Sequence, residues 1–491
     1  MLTRIRLRDE RGVALVVALL VTFVVLLLAT AVLSLSLHNI DASGYDRRRL
    51  LSINAAEAGL DAYYETIERT PPSSLPCTLS GTVSSGPNTA TYQASIEVYN
   101  VVGAEIPCPP SGTTGVAALI TSTGRAGNAL TRTMESYVEL TPIYGGWSAA
   151  IFANTPTTIG QRMTVNSASG TDGDIFVNGD LTINNSVNIS GNLYVSPAGA
   201  ETGAATLSNL VTVQSNVWAN GTVTMSNGAT VAGNVTSSTG SISVSTPATI
   251  QGDATAAGTV GSASQVSGLI TQNYAQGPPP SQALPQITFS ASEQQEWTNA
   301  GYVIKTFSGS SSTPCTAAKT FIASVSSGAE PAGNYVVRVI STSGTPCEIK
   351  YGNNSSTNVR GHLAIITDGA IRIENKVVWQ AVGGDRKLYL ISVYRSGLDC
   401  STPYYNVTTS NNTDFLNTAG QDVLDVFLYS PCTVSLANQN AFRGQVFGQT
   451  VNITSQINMT FVPTIVPGVS QVVGFRQDPA YVREVQAEVE G

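Results

Sequence analysis

The feature that most constrains this chain is Val13 to Leu37, VALVVALLVTFVVLLLATAVLSLSL, 25 residues without a charge. About 18 such residues suffice for a helix that crosses a bilayer. The preceding segment, MLTRIRLRDERG, carries Arg4, Arg6, Arg8 and Arg11 against Asp9 and Glu10. A basic flank of this kind stays cytoplasmic, so residues 38–491 are expected on the far side of the membrane.

The apolar run leads into a second helical stretch. Asp46 to Arg69 holds no proline, and Leu50, Leu51, Ile53, Leu60, Tyr63, Tyr64 and Ile67 recur at roughly helical spacing. Pro71 and Pro72 end it, because proline lacks the amide donor and disfavours helix in the residue before it. A continuous helix from Val13 to Arg69 would be about 85 Å long at 1.5 Å per residue, with Gly44 as a place for a bend.

With its leader ending at Arg11-Gly12, the uninterrupted apolar run and then Asn54-Ala55-Ala56-Glu57-Ala58-Gly59-Leu60, the N-terminus resembles PilX-type minor type IV pilins over roughly 70 residues. The resemblance implies cutting between Gly12 and Val13 by prepilin peptidase, and a role for Ala55, Ala56, Glu57, Ala58, Gly59 and Leu60 in the family's helix. It also implies other pilins, inner-membrane pilus assembly proteins and membrane lipid as partners. Major pilins have glutamate five residues into the mature chain, where this sequence has Val17. That departure suits a minor or tip subunit better than a shaft subunit. Two plainer readings stay open. Leu28-Ala29-Thr30-Ala31 offers a signal-peptide cleavage site, although apolar residues continue past it to Leu37; the other is a simple single-pass anchor.

Only 11% of residues are charged, 42% are apolar and 45 are glycine, a balance that suits β-structure with many turns better than disorder. The net charge is −8, and no Lys or Arg occurs between Arg162 and Lys305. Nucleic acid is therefore not expected as a partner, since phosphate binding requires basic residues. Cys77, Cys108, Cys315, Cys347, Cys400 and Cys432 form no CxxC pattern. Disulfides in an oxidising exterior are the expected reading, with neighbour pairing the simplest of fifteen connectivities.

The expected fold is mainly β. It has a cytoplasmic leader (1–12), a transmembrane helix (13–37), a helix extension (38–70) and a small β-rich head (71–145). A right-handed parallel β-helix follows in two parts, 146–275 and 361–475, around a linker and insert at 276–360, with a tail at 476–491. In the head, Tyr92, Ala94, Ile96 and Val98 alternate with polar residues, and Val116–Ser122 and Arg132–Leu140 are further strand candidates.

The β-helix rests on apolar pairs two residues apart: Ile175/Val177, Leu181/Ile183, Val187/Ile189, Leu193/Val195, Val211/Val213, Val223/Met225 and Ile242/Val244. Corners such as Val177-Asn-Gly-Asp-Leu181 and Ile189-Ser-Gly-Asn-Leu193 separate several of them. This texture resembles bactofilin-like β-helices. Ser290 and Glu293 mark a capped short helix. Step-two pairs return at Leu363/Ile365, Ile371/Ile373 and Leu388/Leu390, and the second part is expected to continue the first, with 276–360 lying across it.

No enzyme is expected, and no cofactor or metal. His38 falls at the membrane edge, and His362 lacks a flanking motif. Asp172, Asp174 and Asp180 cluster, but corner residues, a weak calcium site and a carboxylate pair all fit them. Asn412-Thr413-Asp414 faintly resembles a polygalacturonase motif, with Phe415 where that motif has glycine. The sequence thus reads as a minor pilin-like subunit whose exported head makes structural or adhesive contacts. The alternative is a membrane-anchored surface β-helix that binds or cleaves polysaccharide.

Overall fold

The computed structural model describes residues 10–485 except 86–87, 101, 111–114, 128–129, 145–146, 148, 161, 169–172, 280–281, 343–344, 417–421, 438 and 470–471. The chain divides into two compact units, one built from both chain ends and one from residues 146–470.

The first unit is organised on one uninterrupted helix, α1 (Glu10–Arg69), 60 residues long and about 90 Å at the standard rise. It passes through Gly44 without a break. Against its last five turns packs an antiparallel sheet in the order Thr78–Ser85, Asn88–Tyr99, Ala117–Ala126, Leu130–Tyr144, Val472–Val485. Alternation in these strands sends Ala94, Ile96, Val98, Ala118, Ile120, Val138 and Leu140 inward to meet Leu60, Tyr63 and Ile67 of the helix. Cys77–Cys108 closes the loop around the second strand.

The fifth strand corrects the expectation for the chain end. Residues 472–485, divided at the sequence level between solenoid and tail, pair with Leu130–Tyr144 from Val472↔Tyr144 to Val485↔Thr133. Val482 and Tyr481 are largely exposed, so the segment has no apolar periodicity to announce it. Its register is marked by Arg132–Glu484 and Arg483–Glu135 ion pairs instead. The acidic residues after Val485 lie outside the described residues.

The second unit is a parallel β-helix. Each inward pair read from the sequence is buried: Ile175, Val177, Leu181, Ile183, Val187, Ile189, Leu193 and Val195 are at most 1% exposed. Successive rungs align like on like: Leu193↔Ile175, Leu193↔Val217, Val217↔Val235, Val235↔Ala254. The stack is single, but its order is not that of the chain. The rung formed by Gln439–Ile453 and Ile457–Phe461 lies on the first rung, with Val446↔Ile151, Ile453↔Ile159 and Met459↔Val165. The second part therefore builds toward the start of the first part, rather than continuing from its end.

The 276–360 insert is also corrected. Val303–Gly309 and Tyr335–Ser341 are full members of the stack, paired over seven residues. Between them α3 (Thr313–Ser327) places Cys315, Ala318, Ile322 and Val325 in the solenoid core. Their spacing is helical, and serines around them masked it in the sequence. Of the expected insert, 276–279 and 282–302 lie outside the stack, as a strap over one face. Its pins run along one face: Ser238 Oγ donates to Gly277 O at 2.7 Å, Asn178 Nδ2 to Gln282 O at 2.7 Å and Tyr429 OH to Pro285 O at 2.6 Å. The strap contains α2 (Ala291–Asn299), whose Ser290–Glu293 capping box is formed.

The strap explains why some strands lose their alternation. Under it the outward residues are Phe152, Phe176, Tyr389, Phe427 and Phe447, covered with Ile287, Phe289 and Trp297 from above. Ala149–Ala153 and Leu363–Thr367 are buried at every position. On an open face the outward residues are Thr158, Thr182, Thr206 and Thr224, in register.

Candidate assembly site

The residues singled out for assembly lie on α1. Gly12 and Val13 are helical, within its first turn. From Leu15 to Ser43 every side chain is exposed, including Leu19, Phe23, Leu26 and Leu33. Among the described residues α1 is the one helix long and apolar enough to cross a membrane. That is compatible with a single-pass anchor, and the three disulfides suit an oxidising compartment.

Burial begins within one turn of Leu51. The motif divides by face: Ala55, Ala56, Gly59 and Leu60 turn to the sheet, while Asn54 and Glu57 are exposed. The small residues are required by distance. A Cβ on Gly59 would overlap Ser122 Oγ and stand 2.9 Å from Tyr92 Cδ2. Opposite, a Cβ on Gly124 would overlap the Ser52 carbonyl and stand 2.5 Å from Ala56 N. Helix and strand backbones thus touch almost directly, and Ser52 Oγ accepts the Ala126 amide at 3.1 Å across that contact. Tyr63 OH donates to Pro76 O at 2.7 Å and Tyr64 OH to Ser136 Oγ at 2.6 Å, fixing the next turn. Desolvation raises the Tyr63 phenol well above its ordinary range, so it stays a donor.

Most of the motif is therefore packing, and Glu57 is its one charged, solvent-facing member. The sequence reading missed the other half of this contact. Gly124 and Ser52 carry no motif, and only the pairing of a helix face with a glycine in an alternating strand could have pointed to them.

Of the clustered aspartates, Asp174 and Asp180 bind corner amides of the next rung. Asp174 Oδ1 accepts from Asn192 N at 2.7 Å and from Asn192 Nδ2 at 3.1 Å. Asn192 Oδ1 then accepts from Asn216 N, Asn216 Oδ1 from Asn234 N, Asn234 Oδ1 from Asp253 N, and Asp253 Oδ1 from Leu269 N. This ladder satisfies one corner amide per rung. Asp180 does the same for Ala204 N at 2.9 Å. Asp172 lies outside the described residues. Among the described residues no group of three His, Cys, Asp or Glu is arranged to hold a metal.

His362 is half-buried at a strand start, where its Nδ1 accepts the Lys387 amide at 3.1 Å. Desolvation, then Lys387 and Arg386, lower its pKa. Thr413 turns inward, with Oγ1 donating to Ser410 O at 2.9 Å, and Asp414 sits in a strand beside Val378. Burial raises the Asp414 carboxyl. Arg338 and Arg395 both pair with the buried Asp368, and Arg338 lies 5.5 Å from the Phe289 ring of the strap. Burial, then Arg395, lowers the Arg338 guanidinium to about 10. This cluster ties the strap to the stack. The cysteines form Cys77–Cys108, Cys315–Cys347 and Cys400–Cys432.

No family model matches the chain, and no curated protein is similar to it. A solved ice-binding protein from an Antarctic Flavobacteriaceae bacterium is similar at 12% identity over 65% of this chain and 81% of its own, with a TM-score of 0.10. A likeness at that level carries no argument about this chain.

Proposed function

We propose that this protein is a minor pilin-like subunit whose α1 enters a pilus or pseudopilus bundle from the membrane and whose solenoid projects as a structural or adhesive surface. The observation that supports this is the division of α1. One unbroken helix is bare and apolar over Leu15–Leu37, then sheathed on one face by an antiparallel sheet from Ser52 onward. A plain anchor needs no rigid continuation beyond the bilayer. A subunit that must hold its head at a fixed height on a filament does. In this reading the N-terminus is cytoplasmic, prepilin peptidase cuts after Gly12, and other pilins and inner-membrane assembly proteins are the partners. Glu57, exposed on α1, is the charge a neighbouring helix would meet. The protein acts by contact and not by catalysis.

The test is co-purification from native membranes with crosslinker present. Pilin-class proteins should be recovered with the chain, and Glu57→Ala should reduce their yield severalfold while leaving expression unchanged. Recovery of no pilin-class protein would refute the reading.

A further inference from the structure

The solenoid carries a cleft whose two walls are each held by a disulfide, and we infer that it is a binding site for a neutral hexose unit of a polysaccharide. The cleft is about 240 Å³ and is lined by Pro346, Glu348, Ile371, Arg372, Tyr404 and Thr408, among others. Its floor is the open face of two stacked rungs, with Ile371↔Val407 and Arg372↔Thr408 in register.

One wall, Pro346 and Glu348, flanks Cys347, which is bonded to Cys315 on α3. It presses on the floor so closely that a Cβ on Gly369 would overlap the Cys347 carbonyl. The other wall is the short turn Pro403–Tyr405, three residues after Cys400, which is bonded to Cys432 in a core strand. Ser430 Oγ donates to Tyr405 O at 2.8 Å, and Thr433 N donates to Asn406 Oδ1 at 3.2 Å, so this wall is also fastened from below. Such walls are ordered before a ligand arrives, which lowers the entropy cost of binding.

The lining selects the ligand class. Tyr404 lines the cleft and is 44% exposed, which leaves aromatic surface in water. Arg372 and Glu348 stand 3.6 Å apart and are about half and two-fifths exposed. They form an ion pair whose closest atoms are too far apart for a hydrogen bond, which leaves guanidinium and carboxylate hydrogen-bonding capacity for a ligand. Next to them Lys350 is paired with Glu374. Charges in and beside the cleft therefore cancel, and an anion gains nothing there. A hexose ring offers an apolar C–H face for the tyrosine and adjacent hydroxyls that accept from arginine and donate to glutamate. Thr408, paired with Arg372 on the floor, adds a hydroxyl-bearing side chain to the lining.

The inference goes beyond the assembly reading and does not depend on it, since binding is measured on purified chain whatever its N-terminus or partners. The experiment is calorimetry on the full chain in a detergent without sugar groups, titrated with cellohexaose, mannohexaose and a galactohexaose, and with a hexagalacturonate as the acidic comparison. At least one neutral hexasaccharide should saturate one site per chain. Tyr404→Ala should weaken it tenfold or more and Arg372→Gln at least fivefold, while Thr212→Ala, on another face, should leave it unchanged. Tyr404 is surface-exposed, and unaltered circular dichroism would show that its loss leaves the fold in place. No binding by any neutral hexasaccharide, binding that survives Tyr404→Ala, or a preference for hexagalacturonate would each overturn the inference.

Discussion

The two halves of α1 share one backbone and differ in what surrounds them. Between Leu15 and Ser43 no side chain is covered, whereas Ser52, Ala55, Ala56, Tyr63 and Ile67 are fully buried against the sheet. Up to Leu37 the bare half is mostly Leu and Val, which need only an apolar solvent. The sheathed half uses Ala, Ser and Gly where the strands come closest, because there shape decides. The contrast teaches that a bare stretch of large apolar residues needs only an apolar surrounding, while small residues are required where strand and helix backbones come close.

The largest expected effect comes from closing that near approach. Gly124→Val puts a branched side chain onto the backbone of Ser52 and Ala56, which cannot move aside as a side chain would. The cost should exceed the ~3 kcal/mol upper end usual for overpacking. Hydrogen exchange should show amides of Ala117–Ala126 losing protection. The same substitution at Gly44, which has nothing within 4 Å, should leave them protected.

Next is a charge in the bare half. Val25→Arg should cost about 2.5–3.5 kcal/mol in membrane insertion. The protein should shift into the carbonate-extractable fraction, with exchange in the head strands unchanged. If the head were destabilised equally, the two halves would not be the separate environments described. Smaller again is Tyr64→Phe, which removes the 2.6 Å bond to Ser136 and should cost about 1 kcal/mol, read as a modest loss of protection in Leu130–Leu140. Glu57→Ala should change head stability by less than about 0.5 kcal/mol, as exposed substitutions do. An effect above that would place Glu57 in the packing and remove it as an assembly residue.

Much of the fold was legible because solenoid rungs repeat a local rule. Ile175/Val177 and Leu193/Val195 declare an inward face by spacing alone, and Asn192 and Asp253 at Gly-Asn and Gly-Asp corners follow from turn chemistry. What escaped the reading was long-range. Nothing local in Val446 or Ile453 says that they stack on Ile151 and Ile159, some 295 residues earlier. Nor does Val472–Val485 contain the information that its partner is Leu130–Tyr144. One global signal was present and unread: Leu363–Thr367 is apolar from Leu363 to Ile366 and Arg386–Ser392 from Leu388 to Ile391, at successive positions, the mark of a sheet covered on both sides. That signal implied a strap over one face. The Asn54–Leu60 string was legible, but its division into packed Ala55, Ala56, Gly59 and Leu60 and exposed Glu57 required the sheet.

The central claim is that the bare half of α1 is a processed pilin-type segment. The measurement that tests it most directly is the intact mass of the chain isolated from its native membrane, read for its N-terminus. The account predicts a chain beginning at Val13, with a methylated amine as the processing enzyme leaves it. A chain beginning at Met1 would contradict it by leaving a simple anchor, and one beginning at Val32 would contradict it by showing that the apolar run is removed.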